Sequence, residues 1–349
     1  MRPPPRWVRR VLLAPLVLLL SLGLVVTIPL WMVVTLVVSP FTPGRLRPLR
    51  LLWLVTVYLA VEAVLLVALF GLWVAAGCGW RVRGPTFQRA HYRLCGVVLR
   101  VLYRQASWVL RVSVHIDGTD PDAVPHGRPL LVLCRHAGPG DSFLLVHALI
   151  NWYAREPRIV LKEALQWDPA IDVLLNRLPS RFIAPARHRG DEAEAQVSAL
   201  ATALDSDDAF VIFPEGGNFT PKRWVTAIAR LRRLGLPAMA RRAEAMPNVL
   251  APRPGGVLAA LDAAPGTDVI FVAHTGVDHL FTVADVWREL PMDKRIAMQW
   301  WLEPAHAVPA GADERIEWLY RWWARIDAWI SDNRPVDLPL RGLRLTGRR

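Results

Sequence analysis

Cysteine is scarce. The three residues, Cys78, Cys95 and Cys134, are odd in number and lack ligand-like spacing, which argues against a disulfide framework and a zinc site. Lysine is as scarce, with Lys162, Lys222 and Lys294 the whole complement of 349 residues, so the +12 formal charge is nearly all arginine. Such a bias suits a GC-rich genome as well as any ligand. No recognition-helix, zinc-finger or aromatic ribonucleoprotein pattern occurs, so nucleic acid is not an expected partner. Internal repeats, low-complexity linkers and a Gly-x-Ser-x-Gly nucleophile elbow are absent too. Tryptophan is plentiful, at 16 residues, and with the basic charge it suits an anionic membrane surface.

Long apolar runs come first in the chain. Val11 to Ser39 is 29 residues without a charge, and Leu51 to Trp80 is broken only by Glu62. Each exceeds the roughly 20 residues that cross a bilayer. The first is too long for a signal peptide, and a second follows closely. Arg2, Arg6, Arg9 and Arg10 precede the pair; Arg45, Arg47 and Arg50 lie between; Arg81, Arg83, Arg89 and Arg93 follow. This distribution favours both ends in the cytoplasm. Pro15 and Pro29 would also permit a hairpin dipping into one leaflet. Either arrangement puts the remaining chain on the side of the amino terminus, at a bacterial inner membrane. The expected organisation is an anchor over 1–82, a folded domain over 83–335 and a basic tail over 336–349.

Beyond residue 105 the pattern alternates. Strands are expected at 111–116, 129–135, 157–161, 209–213, 247–251, 268–274 and 295–302. Helices are expected at 85–107, 142–153, 191–204, 222–244, 256–263 and 313–331. That alternation predicts an α/β fold, a layered mixed or parallel sheet flanked by helices, behind the two-helix membrane segment. The Trp-rich stretch from Trp318 to Ile330 fits an amphipathic core helix and an interfacial one equally. Of Trp300 and Trp301, adjacent in a strand, one must face out of the core or against another layer.

Two segments share one design. Leu130 to Leu133 runs into Cys-Arg-His-Ala-Gly-Pro-Gly-Asp-Ser, and Ala209 to Phe213 runs into Pro-Glu-Gly-Gly. Each is a buried strand breaking into a loop. Loops at the carboxyl ends of parallel strands gather along one edge, where ligands bind. That makes His136, Asp141 and Glu215 candidates for one site. Residues five apart on a helix are roughly 140° apart around it and cannot meet. A turn through Gly138-Pro139-Gly140 would bring His136 and Asp141 together. The carboxylate would accept the Nδ1 proton of His136 and leave Nε2 as a base. A base and its orienter without a nucleophile must activate a hydroxyl brought by a substrate, which is the chemistry of direct acyl transfer.

These motifs resemble those of the 1-acylglycerol-3-phosphate acyltransferases, whose signature is His-x4-Asp followed by Phe-Pro-Glu-Gly. Phe213 to Lys222, then Asn248 to Gly256 with its Leu250-x-Pro252-Arg253 element, look most like the lysocardiolipin acyltransferase-like branch. The resemblance covers roughly residues 105–305. Two departures stand out. Gly217 and Asn218 replace the usual Thr-Arg of the third motif. The second motif, Phe182-Ile183-Ala184, leads to Pro185 rather than to arginine.

The resemblance implies a glycerolphosphate acyltransferase-like fold and a transferase of phospholipid biosynthesis or remodelling. Acyl-CoA would be the donor substrate and a lysophospholipid, such as lysophosphatidic acid, the acceptor. No metal and no prosthetic group is required. His136 and Asp141 would be catalytic, with the oxyanion met by amides of the Gly138–Gly140 loop. Phe213, Pro214, Glu215, Gly216, Gly217, Pro252 and Arg253 would line the substrate site. Glu215 would bond the acceptor's glycerol or hold its loop in shape. Arg187, two places past the usual position, would contact the phosphate, with Arg181, Arg189 and Arg253 as alternatives. Cys134 reads as a packed core thiol. A lipid esterase or thioesterase, and a non-catalytic scaffold of the same fold, are the competing readings.

Overall fold

The computed structural model describes residues 3–118, 127–138, 140–183, 190–278, 280 and 283–335. Arg187 and the basic tail over 336–349 lie outside them. In chain order the helices are α1 (Ala14–Val38), α2 (Arg47–Ala75), α3 (Pro85–Leu110), α4 (Asp141–Asn151), α5 (Pro169–Leu175), α6 (Gly190–Ala201), α7 (Pro221–Arg233), α8 (Pro237–Glu244), α9 (Pro254–Ala263), α10 (Val283–Glu289) and α11 (Ala312–Asn333). The strands are β1 (Val112–Gly118), β2 (Leu130–Cys134), β3 (Glu156–Lys162), β4 (Ser180–Ile183), β5 (Asp208–Ile212), β6 (Asp268–Thr275) and β7 (Lys294–Glu303). The result is a mixed α/β fold with parallel-dominated pairing and flanking helices. The chain divides into two compact units. One holds Met1–Val112, Val146–Gln196 and Trp287–Asp293; the other holds Ser113–Leu145, Val197–Val286 and Lys294–Arg349.

In the first unit, Val8–Phe41 and Arg47–Ala75 are long and apolar enough to cross a membrane. Their side chains are largely unburied, and Pro29 sits within α1. α2 turns one stripe inward: Leu65, Leu66 and Leu69 meet Tyr92, Cys95 and Leu99 of α3 and Ala170, Val173 and Leu174 of α5. The three- and four-residue spacing on α2 and α3 is what puts those side chains on one helical face. Arg9 is buried at the start of this unit and donates to Asp172, itself fully buried, at 2.8 Å. Strands β3 and β4 pair in parallel, from Ile159 with Ser180 to Lys162 with Ile183.

In the second unit the strands run in the order β1-β7-β6-β2-β5. β2 is parallel to both neighbours, with Leu130 opposite Ala209 of β5 and Asp268 of β6. Every residue of β2 and β6 is buried, as expected of strands covered on both faces. β7 returns antiparallel to β6.

α11 lies in the core. Phe271 of β6 stacks on Trp322 with ring centroids 4.3 Å apart, and Trp318 and Trp323 meet it edge-on. The β7 pleat sends Trp300 and Trp301 to opposite faces. Trp301, opposite Phe271, packs against Trp322 and Trp329, and Trp300 is fully buried. Arg325 lies over Trp301 and Trp322. The tryptophan spacing here is that of a helix buried against a sheet.

Two expected elements come out differently. Residues 247–251 form no strand, because side chains take their backbone groups: the Asn248 amide donates to Asp327, the Asn248 carbonyl accepts from Arg135, and the Leu250 amide donates to Glu215. The helix expected over 222–244 is two, α7 and α8. Gly235 at φ +72° turns the chain, and Pro237 can only begin a new helix. The sequence predicts none of β4, α5 and α10; four, seven and seven residues are too few to carry a clear period.

Candidate active site

The site is built at the carboxyl ends of β2, β5 and β6 within the second unit. Beyond Cys134 the Arg135 amide still donates to Val272 at 3.1 Å, and then β2 ends. His136 follows, with Phe213 tilted against its ring at 4.5 Å between centroids. Asp141 opens α4. Its Oδ2 accepts the Gly138 amide at 2.5 Å and lies 3.5 Å from His136 Nδ1. The second distance is longer than a formed hydrogen bond and suits an ion pair once the imidazole is charged. Burial pushes the Asp141 carboxyl up, but His274, His136 and the Gly138 amide outweigh it and hold it below the ordinary range. It is therefore a carboxylate at neutral pH.

The Gly138 amide is already used on Asp141, so it is not a donor for an oxyanion, contrary to expectation. Pro139 is outside the described residues.

Glu215 is buried and faces the backbone. Oε1 accepts from the His136 amide and Oε2 from the Leu250 amide, each at 3.1 Å. Of the two roles expected for it, the second matches this geometry: it holds loops in shape. Burial pushes its carboxyl up to about 8, against the pull of Arg135 and the two amides. Phe213 to Gly216 forms a turn closed by the Gly216 amide on the Phe213 carbonyl, with Gly216 at φ +68°. The Arg253 amide donates to the Pro214 carbonyl at 2.9 Å, which ties the Leu-x-Pro-Arg element to the Glu-Gly loop. Pro252 is buried beside it.

The arginines divide. Arg187 is outside the described residues, as is Arg189, and Arg181 is exposed on β4. Arg253 is exposed and comes close to the loop: a Cβ on Gly216 would sit 3.1 Å from its Cζ. Arg223 stands equally close to Gly217, and its Nη1 donates to the Asn218 carbonyl at 3.0 Å. Partial desolvation, then the charges of Arg230 and Arg223, lower the Arg253 guanidinium below its usual range.

Arg135, His274 and Asp278 escaped notice in the sequence. The fully buried Arg135 guanidinium donates to Asp278, to the His274 carbonyl and, at 3.0 Å, to the Asn248 carbonyl. Burial raises the Asp278 carboxyl, but Arg135, the Thr275 hydroxyl, His274 and the Gly276 amide bring it down to about 2. Cys134 is fully buried, and burial pushes its thiol well above the ordinary range. Among the described residues no cluster of His, Cys, Asp and Glu could hold a metal ion.

Residues 115–263 match the model of the Acyltransferase family. That stretch contains His136, Asp141, Glu215 and Arg253, and the match supports the acyltransferase family for this chain. No curated protein matches. Among solved structures the chain is similar to the 1-acyl-sn-glycerophosphate (LPA) acyltransferase PlsC from Thermotoga maritima, at 14% identity and a TM-score of 0.44, over 76% of this chain and 95% of that one.

Proposed function

We propose that the protein transfers a fatty acyl group from acyl-CoA to the free hydroxyl of a lysophospholipid at a membrane. One observation carries this reading: a buried histidine and an ionised aspartate lie side by side where β2 breaks into its loop. His136 Nε2 takes the proton of the acceptor hydroxyl as its oxygen attacks the thioester carbonyl. Asp141 fixes the tautomer and stabilises the imidazolium. Collapse of the tetrahedral intermediate expels the CoA thiolate, which leaves with the proton from His136. No acyl-enzyme is needed, and the neutral, buried Cys134 thiol is poorly suited to form one.

The acceptor phosphate would be met by arginine. Arg187 was the expected contact; Arg253 and Arg223, flanking Gly216 and Gly217, are the described residues that fit best. They would replace the arginine that the motif lacks at Asn218. The two apolar helices would hold the enzyme at the bilayer, with its site on the cytoplasmic side.

The test is purified full-length protein in detergent, with labelled acyl-CoA and a panel of lysophospholipids. Acylated phospholipid should form, and His136→Ala should lower the rate by about 10²–10⁴-fold, as for loss of a general base. Free fatty acid as the sole product would favour a hydrolase instead. A folded His136→Ala protein within a few-fold of wild type would sink the mechanism.

A further inference from the structure

Asp141 faces a second imidazole. β6 pairs with β2 from Leu130 opposite Asp268 to Cys134 opposite Val272, and two residues further on each strand stand His136 and His274. His274 is buried, and its Nε2 lies 3.5 Å from Asp141 Oδ2, the oxygen that also faces His136. The same Nε2 lies 3.2 Å from the Arg135 carbonyl. A carbonyl and a carboxylate only accept, so Nε2 carries a hydrogen, which it donates to the Arg135 carbonyl while the Asp141 carboxylate lies at ion-pair distance from the same N–H.

Its place is held from behind. The His274 carbonyl accepts from the Arg135 guanidinium, which pairs with Asp278. Asp278 accepts in turn from the Thr275 hydroxyl at 2.5 Å and the Gly276 amide at 3.0 Å, fixing the turn that follows β6. The other ionisable groups around the pair are engaged. Glu215 at the end of β5 is bonded to two amides, Asp327 of α11 accepts from Asn248, and Cys134 donates to the Arg135 carbonyl.

We infer that His274 is a positioning residue, which orients Asp141 and draws on its negative charge and so sets the basicity of His136. The inference rests on the reading of His136 as the base. Without His274, Asp141 would direct its full charge at His136 and hold the imidazolium more tightly. Loss of His274 therefore raises the pH at which His136 becomes a free base.

The experiment compares His274→Leu, which removes the donor, with His274→Gln, whose amide restores one. Full-length protein in detergent, labelled with ¹⁵N-histidine and assigned through His136→Ala, gives the titration midpoint of His136 directly. The midpoint should rise by about half a unit or more in the leucine variant and return toward wild type in the glutamine variant, as when one donor beside a carboxylate is removed and then restored. The acid limb of kcat/KM should move with it, and acceptor KM should stay nearly constant. An unchanged midpoint in a folded leucine variant, or equal behaviour of the two variants, would overturn the inference. If wild-type protein acylates no acceptor, the functional reading fails, and the titration still decides whether His274 governs His136.

Discussion

Replacing Glu215 by glutamine removes a titratable carboxyl and keeps the volume. The carboxylate is 1% exposed, and its two oxygens each take one backbone amide. Glutamine offers one acceptor oxygen and turns its NH₂ toward the other amide, leaving a buried N–H unpaired. That costs about 1–3 kcal/mol, or a few to about ten degrees of Tm at roughly 2–4 °C per kcal/mol. The pH dependence is the sharper test. Because the Glu215 carboxyl is raised to about 8 in the folded protein, the folded state holds its proton more tightly than the unfolded chain. The stability tied to that proton is complete below the ordinary glutamate range and is lost as pH rises through about 8. At 1.36 kcal/mol per unit the whole swing is on the order of 5 kcal/mol. Glutamine does not titrate. The variant should therefore be the less stable protein at pH 5 and draw level with wild type, or pass it, by pH 9. Thermal unfolding in detergent, followed by circular dichroism across that range, reads the difference. Parallel profiles would mean that Glu215 stays ionised throughout, and the burial argument would be refuted.

The arginines and the anchor give two further tests. Arg223→Gln and Arg253→Gln should each raise the acceptor KM several-fold and leave the acyl-CoA KM nearly unchanged, the pattern of lost ground-state binding. An equal rise for both substrates would point to the donor's phosphates instead, and no change would return the role to the Arg187 region. Full-length protein should stay with membranes through high salt and carbonate, since two helices of this length bury far more apolar surface than any charge attraction. Release by salt alone would refute the reading of α1 and α2 as anchors. Full-length protein is the right sample: a chain starting at Gly84 would strip Leu65, Leu66 and Leu69 from their partners on α3 and α5.

The sequence made β2 and β5 legible because an unbroken apolar run followed by Gly and Pro has few other meanings. His136 and Asp141 were legible for a related reason: glycines between a strand and a helix let the chain double back. His274 was not. It is one polar residue just after the apolar run Val269 to Ala273, and nothing local says that β6 lies beside β2. Its position at the carboxyl end of a buried strand was the available signal, and it becomes specific only with the strand order. Residues 247–251 misled in the opposite sense. Their apolar character reflects burial, and their backbone bonds go to side chains at a distance in sequence that no window captures.

Those side chains explain how His136, the proposed base, is held. His136 stands past the end of its ladder, where backbone pairing no longer fixes it. Glu215 takes its amide, and the Phe219 amide donates to its carbonyl at 2.7 Å. Glu215 reaches with its other oxygen to Leu250, while Arg135 next to the base holds the Asn248 and His274 carbonyls. Four loops are thus joined through two buried polar side chains, Glu215 and Arg135, to the residues either side of one peptide bond, Arg135–His136. Buried polar groups of this kind are weak sources of stability but strong constraints on geometry, because every displaced partner leaves a buried polar group without a bond. For the proposed chemistry the Glu-Gly loop and the Leu-x-Pro-Arg element would therefore matter even where their side chains touch no substrate: they hold the backbone on either side of His136 in one place.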